Sequence, residues 1–309
     1  MLQSGYPQCE IARVINKDKS VVSREIRRNA DARSGEYKDD LAHRKYLKRQ
    51  AYKAKARTFT PEVEAYVRDK LRLKYSPEQI AGVAKTNGDN CVSHERIYQF
   101  IWQDKRKKGT LYLDLRNRGR RYKKRSVIYD KRGTIPNRTD ISLRPPEVEQ
   151  RERFGDLEID LIIGKNHKNA ILTINDRATG LAKLCKLTGK DAEQLAVATI
   201  DCLKDWKPYL HTITSDNGKE FSSHQMIATE LNIDFFFAKP FASWQRGSNE
   251  NYNRLVRQYI PKKVDFDYVT HDYVKYVEQQ LNNRPRKRFG FLSPNQIVSK
   301  VWNTLEKSG

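Results

Sequence analysis

The sequence predicts a multi-domain chain, α-helical in front and α/β behind. Three observations point there. Short capped helices with tight turns between them fill residues 1–104. A dense block of like charge follows, closed by prolines. From residue 157 the pattern changes to apolar runs of strand length, three in succession and then alternating with helices.

The 309 residues carry 60 Lys and Arg against 38 Asp and Glu, a net charge of +22. Residues 1–150 hold a net +17 of it and residues 151–309 only +5. A surplus of this size points to a polyanion, because each neutralised phosphate releases counterions. The front half is therefore read as the holder of the polyanion, nucleic acid before a ribosomal or membrane surface, and the back half has room for clustered carboxylates. Cys9, Cys91, Cys185 and Cys202 form no C-x-x-C pair and read as the reduced thiols of a cytoplasmic protein. No apolar run approaches a membrane span.

Residues 1–30 read as a helix, a turn at Asn16-Lys17-Asp18 with Asp18 as cap, and a second helix from Lys19 to Arg28. Ile11, Ala12 and Ile15 form the inward stripe of the first helix, and Val22 and Ile26 that of the second. The outer face of the second carries Lys19, Ser20, Val21, Arg24 and Arg27. In a helix-turn-helix, that face meets base edges in the major groove. Residues 31–59 contain a basic helical stretch without an apolar face and read as a linker. Residues 60–104 contain three further helix starts, at Pro61, Ser76-Pro77 and Ser93. They read either as a second helix-turn-helix or as a small structural bundle.

Residues 105–150 form a basic linker. Thirteen Lys and Arg stand against two Asp over residues 105–132. Arg120, Arg121, Lys123 and Lys124 lie in the densest part and would track phosphates without sequence choice. Pro136, Pro145 and Pro146 mark an extended connection.

Residues 151–283 form the α/β domain. Strands are expected at Leu157–Ile163, Ala170–Asn175 and Leu181–Cys185, then a helix from Asp191 to Trp206, a strand at His211–Ser215, a helix from Ser222 to Leu231, and a strand at Ile233–Phe237. Helices from Ser248 to Tyr259 and Tyr273 to Asn282 follow. This is the order of a ribonuclease-H-like fold. Residues 284–309 read as a basic C-terminal segment.

Three acids stand where such a sheet gathers functional groups. Asp160 interrupts an apolar strand, Asp216 ends a strand before Asn217-Gly218, and Glu250 lies in the first turn of a helix. A carboxylate in apolar surroundings needs a cationic partner. Oxygen-only ligands suit Mg²⁺ or Mn²⁺. Two such ions, about 3.5–4 Å apart, serve an in-line displacement at phosphorus. Each acid also has a plainer reading: Asp160 paired with Lys or Arg, Asp216 capping its turn, Glu250 a helix-start acid with Arg254 and Arg257 following it. Glu158 and Asn217 are read as supporting groups, Asp176 as a decoy, and Glu220 as near Asp216 but on the far side of the turn. No phosphate-binding G-x-x-x-x-G-K-[ST] loop, nucleophile-elbow serine or tyrosine/serine recombinase pattern is present, so ATP-driven and covalent-nucleophile chemistries are set aside.

Three blocks carry a resemblance to a known family. They are Phe154-Gly155-Asp156-Leu157-Glu158-Ile159-Asp160, Ser215-Asp216-Asn217-Gly218-Lys219-Glu220-Phe221 and Trp244-Gln245-Arg246-Gly247-Ser248-Asn249-Glu250-Asn251. Together they resemble the DDE transposases of bacterial insertion sequences of the IS-thirty type, within the retroviral-integrase superfamily. The 33 residues between Asp216 and Glu250 match that family's spacing. Nearly the whole chain is covered, including Ser23–Asn29, Ser76–Ile80 and Asn283–Lys287.

The resemblance implies catalytic and metal-binding roles for Asp160, Asp216 and Glu250 with two Mg²⁺ or Mn²⁺ ions. It implies DNA contacts by Trp244 and Arg246, with Arg254 and Arg257 also read as DNA-binding, double-stranded DNA as partner at terminal inverted repeats and target, a homo-oligomer on DNA, and a place at the bacterial nucleoid. The family has a further helix ahead of the first helix-turn-helix, which implies an N-terminally truncated copy. A DNA-binding regulator with a vestigial core and a nuclease for structured nucleic acid are the competing readings.

Overall fold

The computed structural model describes residues 1–52, 59–118, 135–165, 169–189, 191–240, 242–262 and 264–305. The chain divides into two compact units, residues 1–58 and 59–309.

The first unit holds α1 (Gln8–Val14), α2 (Lys19–Asn29) and α3 (Asp39–Tyr52). Asn16 takes the left-handed conformation that turns the chain, at φ 52°, a conformation Asn tolerates better than most residues. Asp18 then caps α2, its side chain accepting from the Ser20 amide at 2.8 Å. Ala12 and Val22 are buried and seat the two helices on each other. Ile15, read as part of the inward stripe, is 49% exposed. The reason is local: α1 ends at Val14, so Ile15 no longer follows the helical face. Without an apolar stripe, α3 is held by polar bonds instead. Arg49 donates to Asn29 Oδ1 at 2.6 Å and Lys45 to the Ala30 carbonyl at 2.6 Å.

The second unit opens with α4 (Pro61–Arg72), α5 (Pro77–Asn87) and α6 (His94–Arg106). Each starts on a hydroxyl cap, from Thr60, Ser76 and Ser93, and Ser76 completes a reciprocal capping box with Gln79. Leu71, Ile80, Ile97 and Ile101 are fully buried at the centre of this bundle. Burying each stabilises the fold by about 2 kcal/mol.

A six-stranded sheet follows. Its strands are β1 (Thr139–Asp140), β2 (Asp156–Ile163), β3 (Ala170–Asp176), β4 (Ala182–Leu187), β5 (Thr212–Ser215) and β6 (Asp234–Phe237), in the order β1-β6-β5-β2-β3-β4. The β2-β3-β4 strands are antiparallel; β5, β6 and β1 run parallel to β2. This is a ribonuclease-H-like sheet with one additional edge strand. Between β1 and β2 lies the short α7 (Glu147–Gln150). The helices are α8 (Ala192–Leu203), α9 (His224–Leu231), α10 (Gly247–Tyr259), α11 (His271–Asn282) and α12 (Pro294–Leu305).

Alternation along β2 sorts its side chains. Leu157, Ile159 and Leu161 enter the core with Leu195 and Leu203 of α8 and Ile227 of α9. Ile162 enters the opposite core with Leu255 and Val256 of α10 and Val277 of α11. Asp160 belongs to the Ile162 set and therefore faces α10. The α4–α6 bundle packs within the same unit. Gln79 donates to the Pro285 carbonyl at 2.6 Å and Gln258 to the Asp114 carbonyl at 2.7 Å. Gly82 lies so close under the Phe291 ring that an added Cβ would fall 2.3 Å from it.

Candidate active site

The parallel pairing of β2 with β5 sets Glu158 against Thr214. Asp160 stands two residues further along β2 and Asp216 one residue past the end of β5, so the register carries the two toward each other. Both turn a carboxylate toward Arg246, which precedes α10. Its Nη1 lies 3.8 Å from Asp160 Oδ2 and its Nη2 3.5 Å from Asp216 Oδ2. The guanidinium is anchored by donating to the Ile159 carbonyl at 3.1 Å.

Asp160 is further held by the Leu161 amide at 2.9 Å and by Asn253 Nδ2 of α10 at 2.8 Å. Burial pushes its carboxyl up to about 6; Arg246 counters this, and the nearby charges of Asp216 and Glu220 add to it. Asp216 Oδ1 accepts from the Gly218 amide at 2.9 Å, so it caps its turn while its other oxygen faces Arg246. Asn217 ties that turn down, donating to the Ala238 carbonyl and accepting from Arg138 at 2.6 Å.

Glu220, expected near Asp216 across the turn, lies on the short helical turn Lys219–Phe221, next to Gly218, whose amide donates to Asp216. A Cβ on Gly218 would meet the Glu220 carboxyl at 2.5 Å, and its charge reaches Asp160.

Glu250 sits one turn after Arg246 and one turn before Asn253, on the side of α10 that faces Asp160, and is exposed. No hydrogen bond or ion pair joins it to Asp160 or Asp216. Among the described residues, no three His, Cys, Asp or Glu are gathered tightly enough to hold a metal ion. The structure thus brings Asp160 and Asp216 together and leaves Glu250 beside them on the helix.

Glu158 is fully buried and joins the sheet to α10. One oxygen accepts from the Asn249 amide in the first turn at 2.8 Å, where the helix dipole favours a negative charge. The other pairs with Arg177 at 2.8 Å. Arg177 pairs onward with Glu149 at 2.9 Å, Glu149 with Arg144, and Arg144 donates to Thr214 at 2.9 Å. Asp176 belongs to a different structure: it accepts from the Gly155 and Thr179 amides and the Thr179 hydroxyl, and burial pushes it up to about 6.

Lys19, Ser20, Val21, Arg24 and Arg27 of α2 are all exposed. Arg254 is exposed on α10. Arg257 is held in place, donating to the Ile163 carbonyl at 2.8 Å with its guanidinium 5.7 Å from the Phe266 ring centre. Arg120, Arg121, Lys123 and Lys124 lie outside the described residues, as does the side chain of Trp244. Asn253, Asn249 and Thr173 were not singled out by sequence, although Thr173 is the register partner of Asp160 and contacts both asparagines. No helix among the described residues is long and apolar enough to cross a membrane.

Residues 1–29 match the model of a helix-turn-helix domain. The chain is 52% identical to the transposase for insertion sequence element IS4351 of Bacteroides fragilis, covering 98% of this chain and 93% of that one. It is 32% identical to the transposase for insertion sequence element IS1086 of Cupriavidus metallidurans, over 94% and 88% of the two chains. It is 31% identical to the transposase InsI for insertion sequence element IS30A of Escherichia coli, over 94% and 78%. With a helix-turn-helix in front, a ribonuclease-H-like sheet behind and this identity along nearly its whole length, the chain belongs to the insertion-sequence transposases of the IS-thirty type.

Proposed function

We propose that this transposase binds the terminal inverted repeats of its own element and cleaves and joins DNA strands by in-line phosphoryl transfer at Asp160, Asp216 and Glu250. The observation that carries the reading is the register of β2 and β5, which sets two carboxylates side by side around a cation. The donor set fits a hard divalent ion: its members are carboxylate oxygens, and the two aspartates already gather one cation, the Arg246 guanidinium, between them. Asp160 and Asp216 would hold Mg²⁺ or Mn²⁺ centrally, with Glu250 reaching in from α10. Two bound ions would supply charge stabilisation to the attacking and leaving oxygens.

The chain's own residues do the rest. Glu158 fixes the start of α10 and so the reach of Glu250. Asn253 orients Asp160. Arg246 is placed to move from the carboxylates to a DNA phosphate, where a guanidinium fork binds well. Lys19, Ser20, Val21, Arg24 and Arg27 would enter the major groove, with the basic stretch around Arg120, Arg121, Lys123 and Lys124, and Trp244 and Arg254, on DNA as well. A homo-oligomer would hold two element ends together.

The test is a strand-transfer assay with end-sequence duplex and Mg²⁺. Asp160→Asn, Asp216→Asn and Glu250→Gln are each expected to abolish joined product while retaining DNA binding. Activity kept by any one would remove that residue from the site, and binding without product by the unaltered chain would favour a regulator.

A further inference from the structure

A cleft of about 400 Å³ opens between α10, α5 and the segment that follows α11. Arg116, Arg151, Arg284, Arg286, Lys287 and Arg288 line it, and among the described residues no Asp or Glu does. Arg116, Arg284 and Arg286 are fixed by neutral acceptors, while the charges of Asp176 and Glu158 reach Arg288. Arg284 donates to Gln79 and Gln258 at 3.1 and 2.9 Å, Arg286 to the Leu281 carbonyl at 2.9 Å, and Arg116 to Asn251 at 2.8 Å. Lys287 has a carboxylate partner, the exposed Glu78 at 3.3 Å.

Two hydroxyls in the lining, Ser248 Oγ and Tyr252 OH, are buried without a hydrogen-bond partner among the described residues, and Tyr252 is only 2% exposed. Burial, reinforced by neighbouring arginines, pulls Arg284 and Arg286 down to about 10, so both stay charged at neutral pH and repel each other. Buried donors and uncompensated guanidiniums are costly unless an acceptor meets them. A tetrahedral phosphate offers the negative charge and the several acceptor oxygens they lack.

The position on α10 says which phosphate. At 100° per residue, Arg246, Asn249 and Asn253 lie toward Asp160, whereas Ser248, Asn251, Tyr252 and Leu255 lie on the opposite side and line the cleft. One helix therefore separates the carboxylate pair from a concentrated patch of positive charge. We propose that this cleft is a second, phosphate-binding site that seats a backbone phosphate of the bound DNA across α10 from the carboxylates, an inference that rests on the DNA-binding reading above.

The test measures binding of the full chain to a duplex of about 30 base pairs as a function of KCl. Arg286→Gln is expected to weaken binding about five- to twentyfold at low salt and to make the slope of log K against log [KCl] shallower by about 0.9, the value for one lost phosphate contact. Unchanged slope in a folded Arg286→Gln chain overturns the site while DNA binding by the unaltered chain stands. The Ser248→Ala/Tyr252→Phe pair keeps the packing and the charge; it is expected to weaken binding about three- to tenfold with the slope unchanged, and undiminished affinity overturns the proposal even where Arg286→Gln fails to fold. Inorganic phosphate, compared with chloride at equal ionic strength, is the second probe. If it raises the Tm of the unaltered chain but neither variant alters duplex binding, the cleft takes a free anion and the DNA assignment fails. If the unaltered chain binds no duplex, the DNA-binding reading fails with it.

Discussion

Asp160 and Asp216 share one cation, the Arg246 guanidinium, with a separate nitrogen 3.8 and 3.5 Å from each carboxylate. The arrangement relieves the repulsion that register forces on the pair. A divalent ion entering between them competes with that guanidinium. Arg246→Gln is therefore expected to tighten Mn²⁺ binding by the DNA-free protein about five- to thirtyfold, read by titration calorimetry. Unchanged affinity would mean that the guanidinium and the ion do not meet the same oxygens.

Glu158 is expected to matter for stability and for α10 together. Glu158→Gln leaves the buried Arg177 guanidinium with Glu149 as its carboxylate partner and weakens the bond to the Asn249 amide. A loss of about 2–4 kcal/mol in urea unfolding is expected. Hydrogen exchange at the start of α10 should rise beyond what the global loss explains. A variant as stable as the parent would show that the network is dispensable.

Asp176 gives a pH dependence with a definite sign. Its folded-state carboxyl lies near 6, above the usual carboxylate value of 3.8. The folded chain therefore holds the proton more tightly, so this group's stabilisation is full below about pH 4 and is lost as pH rises through 6. The change is on the order of 2–3 kcal/mol. The stability of Asp176→Asn minus that of the parent should rise across this window and flatten above it, measured by urea unfolding from about pH 4.5 to 7.5. A constant difference would contradict a raised carboxyl.

The exposed side of α2 is expected to set sequence choice. Arg24→Ala with Arg27→Ala should reduce the preference for end-sequence DNA over random duplex about tenfold or more, measured by competition binding. An equal loss on both duplexes would make this face a general phosphate contact.

Elements with a strong periodic signal were readable from sequence, and those made by long-range pairing were not. An apolar strand broken by Asp160 announces both β2 and its functional face. Ser76 and Ser93 announce their helices through cap chemistry that is entirely local. β1 escapes notice because two residues carry no periodicity and exist as a strand only through β6. The segment after residue 283 reads only as basic, yet Arg284 is 3% exposed and α12 lies within the segment. Its burial depends on α5 and α10, distant in sequence. The nearness of Asp160 and Asp216 was legible from strand positions. The part played by Asn253 was not, because it depends on how α10 rotates against β2.

The placement of Glu250 is where the enzymatic reading is most exposed to test, since it stands on the right side of α10 without touching the aspartates. Counting Mn²⁺ ions by electron paramagnetic resonance on the complex with end-sequence duplex addresses it directly. Two ions per chain are expected for the unaltered protein and fewer for Glu250→Gln, as for Asp160→Asn. A Glu250→Gln complex that still binds both ions as tightly as the parent would exclude Glu250 from the metal site and leave a two-aspartate centre.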